Sequence, residues 1–293
     1  VFCTVAKVSS FTRAARLLHL TQPAVSAQVK GLEAELGVQL FNRHGRGVSL
    51  TRAGEMVYEY ARKILALAST MEREIAETVA DTGGYLRIAA TEIVGRYILP
   101  CTVWTFRRSY PSTKLYIQIA SKDLVLRLLD EGAVDVAVLE GEVPHEGRQV
   151  ENMGREQVAL ITPPTREWKK KEEVSLQELL EENIIVSLQD SSMRSLLKEA
   201  LEAAGIEEER LSFVEVGGEE GLKSAVMAGL GVALVLKIMA LKEIHEGTLH
   251  CVRVPMLPTS LPLHAVYRPD TAPGITRRFV NMVCKTPMDC TCG

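Results

Sequence analysis

SFTRAARLLHLTQPAVSAQVKGLEAELGVQLFNRHGRGVSLTRAG, residues 10–54, decides the fold of the N-terminal part. Phe11, Ala14, Ala15 and Leu18 recur at spacings of three and four, the period of an amphipathic helix. Ser9 or Ser10 can cap it, because a hydroxyl oxygen accepts from an orphan backbone N–H. His19 and Leu20 form a turn, and Thr21 caps a further helix that tolerates Pro23 in its first turn. On that helix Val25, Val29, Leu32 and Leu36 share one side and are expected in a core. Gln22, Pro23, Ser26, Ala27 and Lys30 share the other. A short, polar, weakly cationic face suits a helix end pushed into the major groove of DNA. Gln pairs with adenine, Ser with base or phosphate, and Lys with phosphate or guanine. Gly37 ends the helix as a C′ glycine does. Residues 38–50 read as two short strands around a Gly-rich turn, a wing from which Arg43 and Arg46 reach the backbone or minor groove.

Upstream, residues 2–8 read as the last turns of a helix whose start precedes Val1, so a missing N-terminus is expected. Downstream, Thr51 caps a long helix running to about Ala80. Val57, Ala61, Ile64, Ala68, Met71, Ile75 and Val79 form a heptad-like seam along it, and a second copy of the same helix is its simplest partner. Residues 81–84 (DTGG) break the pattern as a hinge.

The grammar then changes to strands alternating with helices, which predicts a parallel α/β arrangement. Strands are expected at 85–91, 114–120, 134–140 and 157–163, with helices near 95–108 and 123–132. A second set follows: ENIIVSL, a helix from Ser191 to Ala204, SFVEV, a helix from Glu219 to Ala228, and GVALVL. Residues 261–267 and a helix from about Ala272 to Cys284 return to the first set. Two α/β lobes joined by two crossovers enclose a cleft.

Charge divides along the same line. Residues 1–54 hold seven basic side chains against Glu33 and Glu35, a net +5, so the remainder carries −8 of the overall −3. A basic end on an acidic body is expected where one end meets phosphate and the rest does not. No apolar run approaches the roughly 20 residues of a membrane-spanning helix. Cys3, Cys101, Cys251 and Cys284 are scattered and are expected to be reduced thiols. Cys290 and Cys292 sit in a polar tail with no nearby His, which argues against a metal site.

The run at 10–54 resembles the LysR-type transcriptional regulators, carrying SFTRAA, TQPAVS, LE-x-ELG, LF-x-R and LT-x-AG in the family's order and spacing. EGAVDVAVLEG and GLKSAVMAGLGVALV resemble the segment ending the family's first effector half and a helix-to-strand unit of its second lobe. The resemblance implies an α/β chain with three parts. A winged helix-turn-helix spans 1–50, and a dimerisation linker helix with its hinge spans 51–84. A two-lobed effector domain similar to type 2 periplasmic binding proteins spans 85–293, with lobe I at about 85–162 and 266–293 and lobe II at about 163–265. Gln22, Pro23, Ser26, Gln28, Lys30, Arg43 and Arg46 match positions near DNA. Many family members have a basic residue where this chain has Ala27, which removes one contact.

In the cleft, the resemblance points to loops at strand ends: Thr91, Ser121, Ser187, Ser191, Ser192, Gly218 and Glu219. Elementary physics points the same way, because hydroxyls and unpaired N–H groups converge where strands end and helices begin. An anionic metabolite is one candidate effector, although Glu92 and Asp190 speak against a purely anionic one. Gly229-Leu230-Gly231 follows a helix and precedes a strand, so it is a helix cap and not a dinucleotide motif. The six histidines are dispersed without a nucleophile or ligand pattern, so no enzyme activity, cofactor or metal is expected. The expected partners are double-stranded DNA, a small-molecule effector, further copies of the chain as homodimer or homotetramer, and RNA polymerase, in the cytoplasm and without a membrane. A small-solute binding protein is the rival reading, and it has no use for the first 80 residues.

Overall fold

Ser10 and Thr21 set the first helix boundaries. The Ser10 hydroxyl accepts from the Arg13 N–H at 3.3 Å and that of Thr21 from the Ala24 N–H at 3.3 Å. A computed structural model describes residues 1–44, 47–79, 84–187 and 192–285, with the side chains at 43, 69, 70, 73, 74 and 76–79 outside the description. It divides into two compact units, Val1–Ala76 and Glu77–Gly293.

The first unit runs α1 (Phe2–Val8), α2 (Phe11–Leu17), α3 (Gln22–Leu36), β1 (Phe41–His44), β2 (Gly47–Leu50) and α4 (Arg52–Val79). Phe2, Val5, Phe11, Ala14, Val25, Val29, Leu40 and Phe41 form its core. Phe41 is central there, with ring centroids 5.3 Å from Phe2 and 5.6 Å from Phe11. Leu32 is half-buried, but Leu36 is 47% exposed, which corrects its expected core position. The helical period carries Leu36 to the last turn of α3, beyond the reach of the small core. Gly37 follows at φ 68°, the left-handed cap that glycine allows.

Two motif residues have a visible structural reason. Glu33 Oε1 accepts from the Leu40 and Phe41 N–H groups at 2.8 and 3.3 Å, tying α3 to the first wing strand. A methyl group on Gly54 would lie 2.1 Å from the Leu40 carbonyl oxygen, so only glycine lets α4 start this close to the wing. Strands β1 and β2 pair antiparallel from Phe41 opposite Leu50 to His44 opposite Gly47. Helix α4 has 28 residues, about 42 Å at the α-helical rise.

The second unit holds β3 (Tyr85–Ala90), α5 (Leu99–Ser109), β4 (Lys114–Ile119), α6 (Lys122–Asp130), β5 (Val136–Glu140) and β6 (Gln149–Thr162). It continues with α7 (Leu176–Leu179), β7 (Asn183–Ser187), α8 (Ser192–Ala203), β8 (Ser212–Val216), α9 (Gly218–Met227), β9 (Ala233–Leu236), α10 (Leu241–Glu246), β10 (His250–Val252), β11 (Ser260–Tyr267) and α11 (Gly274–Val283). A single π-helical turn, Val94–Ile98, precedes α5 and places Pro100 in its first turn.

The main sheet has the order β10-β6-β11-β5-β3-β4, with β9 also on β6. It is mixed. Strand β3 is parallel to β4 and β5, whereas β11 is antiparallel to β5 and β6. The expected parallel arrangement holds for β3, β4 and β5 and for the pair β7 and β8. Strand β6 begins at Gln149, not 157, and this extra length carries the crossover. Its first part, Gln149–Gln157, pairs with β11, and its second part pairs with β9 and β10. The chain therefore passes between lobes inside β6, not after it, and returns at the start of β11.

Alternation explains the continuous apolar strands of lobe I, which are buried on both faces. Leu86, Ile88, Ala90, Val136 and Val138 face one core with Phe106 and Phe279. Ala89, Ala137 and Leu139 face another with Val125 and Leu129 of α6. Lobe II has its own core of Leu160, Ile161, Ile184, Leu197, Val226 and Val235. Arg87 and Asp135 lock the first strands. The Asp135 carboxylate accepts from the Arg87 backbone N–H at 2.9 Å and from its guanidinium at 2.9 and 3.2 Å.

Cys101 is disulfide-bonded, which corrects the expectation of a reduced thiol there. Spacing along the chain does not reveal which sulfurs the fold brings together. Cys3, Cys251 and Cys284 are free, and burial pushes all three thiols up in pKa. The Cys290–Cys292 tail lies outside the described residues.

Candidate functional site

The candidate DNA-reading surface is the N-terminal half of α3. Val25 and Val29 are fully buried, so they fix which side of the helix faces the core. Gln22, Pro23, Gln28 and Lys30 are exposed, and Ser26 is half-buried. The sequence reading of an outward polar face thus coincides with the solvent side of the helix. Arg43 lies on β1, where its backbone pairs with Val48, and its side chain is outside the description. Arg46 is outside the described residues.

Helix α4 leaves an apolar stripe uncovered within its own unit. Ile64, Met71 and Ile75 are 66, 55 and 55% exposed, while Val57, Ala61 and Ala68 are half-buried. Val79 is outside the side-chain description.

The second candidate site lies where β3 and β5, parallel neighbours, end together. Thr91 follows β3 and is 5% exposed, and Glu140 ends β5 at 2%. The Thr91 hydroxyl donates a short hydrogen bond to Glu140 Oε2. From lobe II, the Ser192 hydroxyl at the start of α8 donates to Glu140 Oε1 at 3.1 Å. One carboxylate thus joins both lobes. Sequence reasoning missed Glu140, although EGAVDVAVLEG was recognised as the end of the first effector half. The signal was available as the single charge closing an otherwise apolar strand, VAVLE.

The other expected residues divide. Ser187 is buried at the end of β7. Gly218 and Glu219 open α9, with Gly218 at φ 75° and Glu219 buried. Ser121 precedes α6, is exposed, and makes no side-chain cap. Ser191 and Asp190 are outside the described residues. Thr91 and Ser192 are therefore the expected pair that Glu140 brings together.

A second link between the lobes was also missed. The Tyr97 hydroxyl, on the π-helical turn, lies 3.2 Å from Glu220 Oε1 on α9. Lys223 Nζ lies 2.9 Å from Glu220 and 2.8 Å from Glu243. Burial pushes the Tyr97 phenol up to about 12, with Glu219 and Glu220 adding to the shift and Lys223 opposing it. Burial works against the Lys223 ammonium, yet its bonds to Glu243 and Glu220 hold its pKa above the ordinary lysine value. The Glu220 carboxyl is held down, chiefly by Lys223. A methyl group on Gly231 would lie 2.1 Å from the Asn183 carbonyl oxygen, which explains a glycine where β7 meets the approach to β9.

Among the described residues no group of three or more His, Cys, Asp or Glu side chains could hold a metal ion. No described helix is long and apolar enough to cross a membrane.

Residues 1–55 match the family model of the bacterial regulatory helix-turn-helix protein, lysR family. Residues 80–285 match the LysR substrate binding domain. A protein of Trichormus variabilis named "Probable RuBisCO transcriptional regulator" is 32% identical over 91% of this chain and 80% of its own length. One of the same name from Synechocystis sp. is 33% identical over 84% of this chain and 72% of its own. The crystal structure of CbnR, a LysR family transcriptional regulator, superposes with TM-score 0.58 at 27% identity, covering 96% of this chain and 97% of that one. Full-length CbnR complexed with its target DNA gives TM-score 0.61 at 24% identity over 96% of each chain. A full-length OxyR variant from Pseudomonas aeruginosa gives TM-score 0.69 at 22% identity, over 97% of this chain and 91% of that one.

Proposed function

The chain belongs to the LysR family of transcriptional regulators, and from that premise we propose that it reads DNA as a dimer or tetramer whose geometry a small effector adjusts. It joins a DNA-binding helix-turn-helix to an effector-binding domain. The observation that carries the proposal is the placement of Gln22, Gln28 and Lys30 on the open side of a helix whose other side is locked into a core by Val25 and Val29. Those side chains, with Pro23, Ser26, Arg43 and Arg46, form the proposed contact set. Gln22 and Ser26 specify bases, and Lys30 and the wing arginines meet phosphate.

One such face offers few specifying contacts. Two copies joined through the uncovered stripe of α4 supply the rest. The proposed effector contacts are Thr91 and Ser192, which share Glu140, together with Ser121, Ser187, Ser191, Gly218 and Glu219, which the sequence assigns to strand-to-helix junctions. A ligand favouring one separation of the lobes shifts the assembly towards one spacing of its reading helices. RNA polymerase is the downstream partner, the site of action is the cytoplasm, and the chain itself performs no catalysis.

Fluorescence anisotropy with a labelled duplex at increasing salt tests the reading. Affinity falls steeply, with a slope of about −0.9 per phosphate neutralised. A salt-independent affinity would overturn the backbone contacts proposed here.

A further inference from the structure

Glu140 is an unusual residue to find buried where two parallel strands end. It is 2% exposed and ends a strand whose other side chains are all apolar and buried. Burying a carboxylate is costly unless its charge is met. Among the described residues, no lysine or arginine forms an ion pair with it. Three cations, on the segments that follow β3 and β4 and on α9, bond to groups other than this carboxylate. Lys122 Nζ lies 3.3 Å from the Glu140 backbone carbonyl oxygen and 2.8 Å from that of Glu142. Arg96 pairs with Glu92 at 2.9 Å, and Lys223 with Glu220 and Glu243. The carboxylate is served by the hydroxyls of Thr91 and Ser192.

We infer that Glu140 makes the cleft selective for an effector presenting a positively charged donor, an ammonium or guanidinium, and closes it to simple carboxylate and phosphate anions. The inference rests on the reading of this cleft as the effector site. Each hydroxyl has one proton to donate, and both protons are directed at Glu140. An incoming anion therefore finds these donors engaged and meets a like charge in a medium that screens poorly. An ionised carboxylate offers about four acceptor positions, of which two are filled among the described residues, so a cationic donor can still be accepted. The N-terminus of α8 explains why an anion site is expected here at all, because helix N-termini favour negative charge. Here the protein supplies that charge itself: Ser192, the first residue of α8, donates to Glu140.

The test compares the intact chain with Glu140→Gln, which removes the charge and keeps the shape, using calorimetric titration with succinate, inorganic phosphate, putrescine and L-arginine. Succinate or phosphate is expected to bind the variant at least about tenfold more tightly than the parent, and putrescine or L-arginine to bind it more weakly. Anion affinities no tighter in the variant than in the parent, including no detectable binding by either, would overturn the inference. Thr91→Val, which keeps the charge and removes one hydroxyl, is expected to exclude both anions as the parent does. Anion binding to Thr91→Val as tight as to Glu140→Gln would also overturn it. Affinity for duplex DNA, measured on the same samples, separates the two levels of the account. Loss of DNA binding by the parent would sink the regulatory reading, whereas the anion comparison bears on Glu140.

Discussion

The hydroxyl of Thr91, just past the end of β3, donates to the carboxylate of Glu140 at the end of β5, its parallel neighbour. The bond is buried, and Ser192 completes it from the other lobe. Removing a donor from a buried carboxylate costs more than an average hydrogen bond contributes. Thr91→Val is nearly isosteric and is expected to destabilise the effector domain by about 1–3 kcal/mol without unfolding it. Urea denaturation followed by circular dichroism measures the loss. An unchanged midpoint would mean that Thr91 does not support Glu140.

Gly54 gives a test of opposite sign to ordinary expectation. Glycine to alanine inside a helix normally stabilises by up to about 1 kcal/mol. Here the new methyl group would meet the Leu40 carbonyl oxygen at 2.1 Å. Gly54→Ala is therefore expected to destabilise the N-terminal unit by about 1–3 kcal/mol, as overpacking does. Differential scanning calorimetry shows it as a lowered transition, and a raised one would refute the close approach.

The stripe on α4 predicts self-association. Ile64 is 66% exposed and Met71 is 55% exposed within their own unit. Ile64→Asp puts a charge in the proposed interface and is expected to shift the mass measured by sedimentation equilibrium towards the monomer. A parent chain that is already monomeric at micromolar concentration would rule out the α4 pairing.

Tyr97 predicts an alkaline signature. Its phenol is pushed up to about 12 by burial, from an ordinary value of 10. The folded state therefore holds this proton more tightly than the unfolded one. The resulting stability is fully present below pH 10 and is lost as pH rises towards 12. Absorbance titration of tyrosinate, with Tyr97→Phe as reference, should show one late-titrating phenol in the parent. Its absence would mean that Tyr97 is more open to solvent than the structure indicates.

The residues explain how much was legible beforehand. Caps and short periods are local, so Ser10, Thr21 and Gly37 announced their helices and Val25 and Val29 announced the core face. Leu36 was misplaced because periodicity tells which side a residue is on but not how far the core extends. Strand β6 was seen from Gln157 onwards and missed from 149 to 156, where VENMGRE lacks apolar alternation and is held by its pairing with β11. Thr91 and Ser192 were legible as strand-end hydroxyls. Glu140 and Tyr97 were not, because each takes its meaning from partners more than 50 residues away on the other lobe, Ser192 and Glu220.

The central claim is that two copies of α3 read DNA together. Selection of bound duplexes from a random-sequence pool by the intact chain tests it most directly. The account predicts enrichment of an inverted repeat with half-sites spaced by about one helical turn or a multiple of it. It also predicts that Gln22→Ala relaxes one position in each half-site by about 1–3 kcal/mol of discrimination. A pool that emerges as random as it entered, or a motif that Gln22→Ala leaves unchanged, would contradict it.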